Sequence, residues 1–419
     1  MTERSAEKTK SEDPSGLKDF QELLDALEGA FGGNKKDRGE LTKALRGGPV
    51  EWEPLHYAAQ KGSLKICRAI LDKGGNVDPR DDTNRTPLHY AAQQGHVELC
   101  RLLIERGADV NAGSDKGVTP LLLAGLKGNI EVLNLLLSHG ADIEARVPDG
   151  STLLILATWM GSKEKKDALY EVAQTLLEAG CDANAVDEDG LTALIAAALW
   201  NGVQFAKLLL AHGANHNVRD DKGRSALLAA ASENDPDMLR LLLEHGADAS
   251  VIGNRKWNAL QMAVQHDNEN ALEVAQMLLD TGAIDVNARE ERGATALYLS
   301  VQAGRVDVAE ALLNAGADVN AVTSTDMGIL ERAVVNRNLP MMKMLHRHGA
   351  NVNAVDKNGR SLLHVAVALG DEDAVRWLLE AGIDTELKTT DGRGIRAMQL
   401  AVQQDNDEIA MLLLDFGAK

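Results

Sequence analysis

The sequence predicts an all-α chain built as a solenoid of repeated helical pairs, joined by short β-hairpin fingers. Three observations carry this. A segment of 33 residues returns along most of the chain, apolar residues fall at helical spacing within each copy, and glycine is plentiful enough to end many short helices. The 419 residues exceed what one hydrophobic core holds, so several domains or a repeat array are expected. With 44% hydrophobic but only 3% aromatic residues, burial has to come from Ala, Leu and Val, which suits small, close-packed helices. Gly 38 against Pro 9 fits many glycine-terminated elements.

The repeat is read directly. "TPLHYAAQQGHVELCRLLIERGADVNA" at 86–112 returns as "TPLLLAGLKGNIEVLNLLLSHGADIEA" at 119–145. Anchored on the threonine, the series runs Glu53, Thr86, Thr119, Thr152, Thr192, Ser225, Asn258, Thr295, Gly328, Ser361 and Arg396. Most steps are 33 residues; the exceptions are 40 at Thr152 to Thr192, 37 at Asn258 to Thr295 and 35 at Ser361 to Arg396.

Each copy has its elements in a fixed order. Thr86 suits a helix N-cap and Pro87 the first turn, where a missing N–H costs nothing. Leu88, Ala91 and Ala92 share one helical face, with small residues that allow close approach. Gly95 ends this first helix. Val97, Leu99, Cys100, Leu102 and Leu103 give a second helix its apolar face, stopped by Gly107. "DVNAGSDKG" then reads as an extended segment and a turn. One such unit cannot bury both its faces, so stacked neighbours must share a continuous core.

These residues resemble the ankyrin repeat family: T-P-L-H, A-A, G-H, L-L and G-A-D-V-N-A stand almost whole at 86–112. The resemblance covers 50–419 in about eleven units and weakens at Gly328 and at Asn254–Trp257, where the finger lacks its D-x-x-G. It implies an ankyrin-repeat solenoid, all-α with short β-hairpin fingers, and recognition through a concave groove lined by finger turns and first helices. Insertions fall near 162–169, 267–271 and 392–395. Residues 1–16 read as a disordered polar N-terminus. Residues 17–49 read as a helical N-terminal cap or degenerate repeat, carried by the amphipathic "LKDFQELLDALEGAF".

Charge and targeting narrow the function classes. A net charge of −19 disfavours phosphate backbones and anionic membranes, and favours solubility or a partner protein with a basic surface. The N-terminus has no apolar core segment and no apolar run approaches membrane-spanning length, so a cytoplasmic or nuclear chain is expected. Cys67, Cys100 and Cys181 form no even set and no C-x-x-C, which argues against disulfides and zinc.

Little in the sequence points to catalysis. By the resemblance, His56, His89 and His364 hydrogen-bond the backbone of neighbouring turns. His139, His212, His245 and His348 precede the closing glycine, where a ring complements a helix C-terminus. His212 and His216 are separated by the helix-breaking Gly213 and have no third ligand beside them. Cys67 and Cys100 read as buried hydrophobes. Carboxylate pairs such as Asp81-Asp82 and Asp220-Asp221 fall at finger turns, where Asp favours the bend. No phosphate-binding glycine loop is present, and no cofactor, metal or catalytic residue is expected.

Binding is expected at the two residues after the A-A pair of each first helix. These exposed pairs are mostly polar, as in Gln60/Lys61, Gln93/Gln94, Ser232/Glu233 and Gln403/Gln404, with Leu126/Lys127 mixed. The middle of the array departs from this with Trp159, Met160, Leu199 and Trp200, and Trp257, Met262 and His266 follow. Aromatics and Met at normally polar sites are the composition of an interface hot spot. A pocket for a small apolar ligand or unusual chemistry on the same tryptophans is the alternative. Trp377 occupies the core position of Leu102, and Trp52 precedes the first anchor. "SKEKKDAL" follows Gly161, between the helices of the fourth unit, and reads as a loop or a lengthened second helix.

Overall fold

The computed structural model describes residues 53–161, 166–266, 268–390 and 392–418. The polar N-terminus, the expected cap over 17–49, Trp52 and residues 162–165 of the insertion lie outside the described residues. Among the described residues the chain forms 22 α-helices in consecutive pairs, one short 3-10 turn and no sheet. By contacts the described residues divide into two compact units, one running to 196 with 211–214, the other 197–210 with 215 onward.

In the first unit the described pairs are α1 (Pro54–Gln60) with α2 (Leu64–Asp72), α3 (Pro87–Gln94) with α4 (Val97–Glu105), α5 (Pro120–Leu126) with α6 (Ile130–Ser138), and α7 (Leu153–Met160) with α8 (Lys166–Glu178). Helix α3 shows why these residues fold locally. Thr86 is extended, its side chain accepts from the third helical N–H, and the His89 ring accepts from the Thr86 N–H at 3.0 Å. Pro87 opens the helix, and Gly95 closes it in the left-handed region at φ 76°. Leu88, Ala91 and Ala92 are fully buried. Against them pack Leu99, Cys100 and Leu103 of α4, so each pair is held by apolar burial rather than by its short helices' own propensity.

Neighbouring pairs are tied by backbone-directed side chains. The His89 Nε2–H donates to the Val118 carbonyl at 3.0 Å, and His56 donates to those of Pro79 and Arg85, both at 3.0 Å. Asn111 donates to Gly140 O at 3.0 Å while its Oδ1 accepts from the Asp142 N–H at 2.7 Å. Arg146 reaches one finger onward, donating to Val186 O at 2.5 Å.

Helix α9 (Ala193–Leu199) begins in the first unit and ends in the second, and all but the last residue of α10 (Val203–Ala211) belongs to the second. The second unit continues with α11 (Ala226–Glu233), α12 (Pro236–Glu244), α13 (Ala259–Val264), α14 (Ala271–Asp280), α15 (Ala296–Gln302) and α16 (Val306–Asn314). It ends with α17 (Ile329–Val335), α18 (Leu339–Arg347), α19 (Leu362–Leu369), α20 (Glu372–Glu380), α21 (Ala397–Gln403) and α22 (Asp407–Asp415). Trp377 is core here, 8% exposed and edge-on to His346.

The fingers are turns closed by single antiparallel bridges, for example Arg146 with Thr152 and Val355 with Ser361, and no continuous strand forms among the described residues. The acidic pairs serve these turns. Asp81 Oδ1 accepts from the N–H groups of Thr83 and Arg85, both at 2.9 Å. Where D-x-x-G is missing, Arg255 and Lys256 take positive φ themselves, at 55° and 61°. A side chain there is strained, which is the physical content of the weak motif.

Two expected exposures are corrected. Gln93 is 6% and Leu126 8% exposed, because the next pair covers these helix ends. Asn129 donates to Ala92 O and Gln93 O, both at 2.9 Å, closing over the end of α3. The insertion lengthens α8 to 13 residues against nine in α4, and α8 then packs on α5: a Cβ at Gly128 would lie 2.8 Å from Ala168 Cβ.

Candidate functional site

The proposed binding residues are spread over both units. Trp159 and Met160 end α7 in the first unit and are half-buried. Leu199 and Trp200, also half-buried, end α9 in the second, where Asn201 turns the chain at φ 58°. Trp257 and Met262 lie by the finger of their own pair. The Trp257 carbonyl accepts from the Gly253 N–H at 2.7 Å, and Met262 Cε would lie 3.4 Å from a Cβ on Gly253. His266 is exposed at the far end of that pair's first helix, within electrostatic range of Glu233. The second unit therefore separates its candidates into a finger group and a group at the turns between helices.

Leu199 and Trp200 border an open cleft of about 450 Å³, which His266 does not line. Beside Trp200 its walls are Glu233, Asn234, Asp235, Asp237 and Asn270. Asp235 caps α12, one carboxylate oxygen accepting from the Met238 N–H at 3.0 Å. Desolvation pushes both the Asp235 and Glu233 carboxyls above their usual range. They differ in exposure: Asn234 and Asp235 are 2% and 6% exposed, whereas Glu233 reaches solvent.

Sequence reasoning stopped at Ser232/Glu233 and missed Asn234, Asp235 and Asp237. A signal was present. "SENDPDML" aligns with "QQGHVELC" and "LKGNIEVL", so Asp235 stands where other units carry His96 or Asn129.

The remaining titratable candidates have structural surroundings. His139 and His245 donate Nδ1–H to Leu135 O and Leu241 O, each at 2.8 Å, at the ends of their helices. Burial pushes the thiols of Cys67, Cys100 and Cys181 up to about 11, 12 and 12. No helix among the described residues is long and apolar enough to cross a membrane.

Paired short helices, glycine-closed ends and histidine-capped first helices define a repeat scaffold, and comparison with known proteins agrees. A family profile of ankyrin repeats (three copies) matches residues 22–114, 165–253, 248–323 and 330–419, and a second profile of ankyrin repeats (many copies) matches 103–157. The chain belongs to the ankyrin repeat family. It is also 36% identical over 77 residues to an ankyrin repeat protein of Fowlpox virus (strain NVSL). That match takes in 18% of this chain and spans 11% of the relative's length. Ankyrin repeats are generally protein–protein interaction scaffolds and generally non-catalytic.

Proposed function

We propose that this chain is a non-catalytic scaffold or adaptor that binds a partner protein through the inner-helix surface of its middle repeats. The observation that carries the reading is Trp159/Met160 and Leu199/Trp200, large apolar side chains left partly accessible at helix ends that are elsewhere mostly polar. Such side chains bury much area at low conformational cost, which is why they dominate interface energies. Within the second unit Trp257 and Met262 at the finger, and His266 at the helix end, are further proposed contacts. The field of the chain adds selectivity: at −19 it draws basic partners and repels nucleic acid and anionic lipid. Such a scaffold fits the cytoplasm or nucleus.

The test is quantitative capture with mass spectrometry, comparing the full chain with Trp159→Ala and Trp200→Ala. Each variant keeps its helical content, and each loses about 1 kcal/mol or more of affinity for the captured protein. Unchanged capture by both variants overturns the reading. The cleft beside Trp200 is acidic, which gives no support to a small apolar ligand there.

A further inference from the structure

In four repeats the residue that opens the second helix ties two repeats together. It reaches back to backbone carbonyls at the end of the preceding pair's first helix. His96 donates to Gln60 O at 3.2 Å, Asn129 to Ala92 O and Gln93 O at 2.9 Å, Asn270 to Asn234 O at 3.2 Å, and Arg305 to Asn268 O. Asp235 holds this same position and has no hydrogen to give. Its Oδ1 caps α12, and its Oδ2 is buried with no partner. Asn234 Oδ1 beside it is likewise buried and unpartnered. Both residues line the cleft with Trp200, Glu233 and Asp237. A buried acceptor left unpaired is costly, and a carboxylate more so.

The chain shows what complements such a site. Two pairs further on, Arg305 places a guanidinium at the equivalent position. Its Nη1 donates to Asn268 O, and its Nε and Nη2 donate to Asp307 Oδ1 at 3.1 Å and Oδ2 at 2.9 Å. Asp307 follows Arg305 by two residues, as Asp237 follows Asp235. The acceptors recur in the Trp200 cleft, and the internal cation does not. The end of α9 adds the negative pole of a helix to the same wall. Arg240 pairs at the outer edge with Asp237 at 3.0 Å and Glu273 at 3.1 Å, and Arg224 and His266 act on Glu233. No cation among the described residues reaches Asp235 Oδ2.

We infer that the cleft beside Trp200 receives one arginine side chain of the partner protein, whose guanidinium meets Asp235 Oδ2, Asn234 Oδ1 and Glu233. A guanidinium offers five donors in a planar fork, enough for several acceptors at once, and stacks on an indole. This rests on the scaffold reading above and names the chemistry of the group that the scaffold would hold.

The test uses the full chain with the tripeptide acetyl-Gly-Arg-Gly-amide, its uncharged citrulline counterpart and calcium chloride, followed by tryptophan fluorescence and NMR. The arginine peptide titrates saturably and shifts the Trp200 indole resonance, while citrulline binds about tenfold or more weakly. Asp235→Asn supplies from within the donor that Asn129 supplies in its own repeat. It weakens the arginine peptide about tenfold or more and raises the thermal midpoint. Asp415→Asn, on α22, leaves the titration unchanged. Equal binding of the two peptides, wild-type binding by Asp235→Asn, or tighter binding of calcium than of arginine overturns the proposal. Its failure is separable from that of the scaffold reading: capture that still depends on Trp200 without an arginine titration leaves the scaffold standing and removes the pocket.

Discussion

Gln261 makes in its turn the bonds that His89 makes in its own. The His89 ring accepts from the Thr86 N–H at 3.0 Å and donates to Val118 O at 3.0 Å. Gln261 Oε1 accepts from the Asn258 N–H at 3.0 Å, and its Nε2 donates to Ala288 O and Ala294 O at 2.9 and 3.1 Å. One ring and one amide span the same gap, but only the ring titrates. Desolvation first, with the nearby arginines, lowers the His89 pKa to about 4.

His89→Gln therefore separates hydrogen bonding from titration. Because the folded-state pKa lies below the unfolded one, the unfolded chain takes the proton first. The contribution of the neutral ring is complete above about pH 6.5 and is lost as pH falls toward 4, about 3 kcal/mol in all. His89→Gln matches the parent at pH 7 to within about 1 kcal/mol and loses less stability by pH 4.5. Urea unfolding followed at both pH values checks this; parallel losses in the two proteins refute it.

Gly125 replaces the second alanine of the usual pair, and Leu153 explains it. A Cβ there would lie 2.4 Å from Leu153 Cδ2 and 3.0 Å from its Cγ, inside a closed core. Gly125→Ala is expected to destabilise by about 1–3 kcal/mol despite the roughly 1 kcal/mol that alanine contributes within a helix. In a Leu153→Ala background the same change becomes neutral or stabilising. Thermal unfolding of the four proteins measures the sign reversal.

The three cysteines are expected to be silent in the native state. Their thiols are held at about 11 to 12 by burial, so almost no thiolate forms at neutral pH. Iodoacetamide at pH 7.5 leaves the mass of the native chain unchanged and adds three groups in urea. Rapid native labelling at Cys181, the half-buried member, would contradict the account.

Arg305→Ala removes the internal guanidinium and leaves Asn268 O and Asp307 without it. The loss is about 1 kcal/mol at pH 7, kept small by the solvent exposure of Asp307. The hydrogen bond to Arg305 is the main cause that lowers the Asp307 pKa. A depressed carboxyl stabilises the fold above its unfolded pKa and stops doing so as pH falls through its folded one. The gap between variant and parent should therefore narrow below about pH 4. Denaturation midpoints between pH 7 and 3 follow it, and a constant gap would exclude the ion pair as its source.

How much was legible in the sequence follows from the range of each interaction. The helix pairs, their caps and their glycine ends were readable because a cap and its helix lie within four residues, and the 33-residue recurrence repeats the statement many times over. The tie from His89 to Val118 spans 29 residues and was legible only through the resemblance to the ankyrin repeat. Its replacement by Gln261 was not, since ring and amide look unlike until both are seen spanning the same two backbone groups.

The candidate surface divides the same way. Sequence alone marked Trp159 and Trp200 as misplaced aromatics at polar positions. It set Gln93 and Leu126 among the exposed ends, and it passed over Asp235. Those three are decided by the neighbouring repeat: Asn129 closes over Gln93, α8 packs on the helix that ends in Leu126, and Asp235 lacks the hydrogen that would reach the preceding pair. Burial and satisfaction of a polar group depend on atoms some 31–40 residues away, which no local pattern contains. The sequence by itself determined the array of helical pairs, because their signals are local and repeated. Only the tertiary structure decided which atoms between successive pairs are left without a partner.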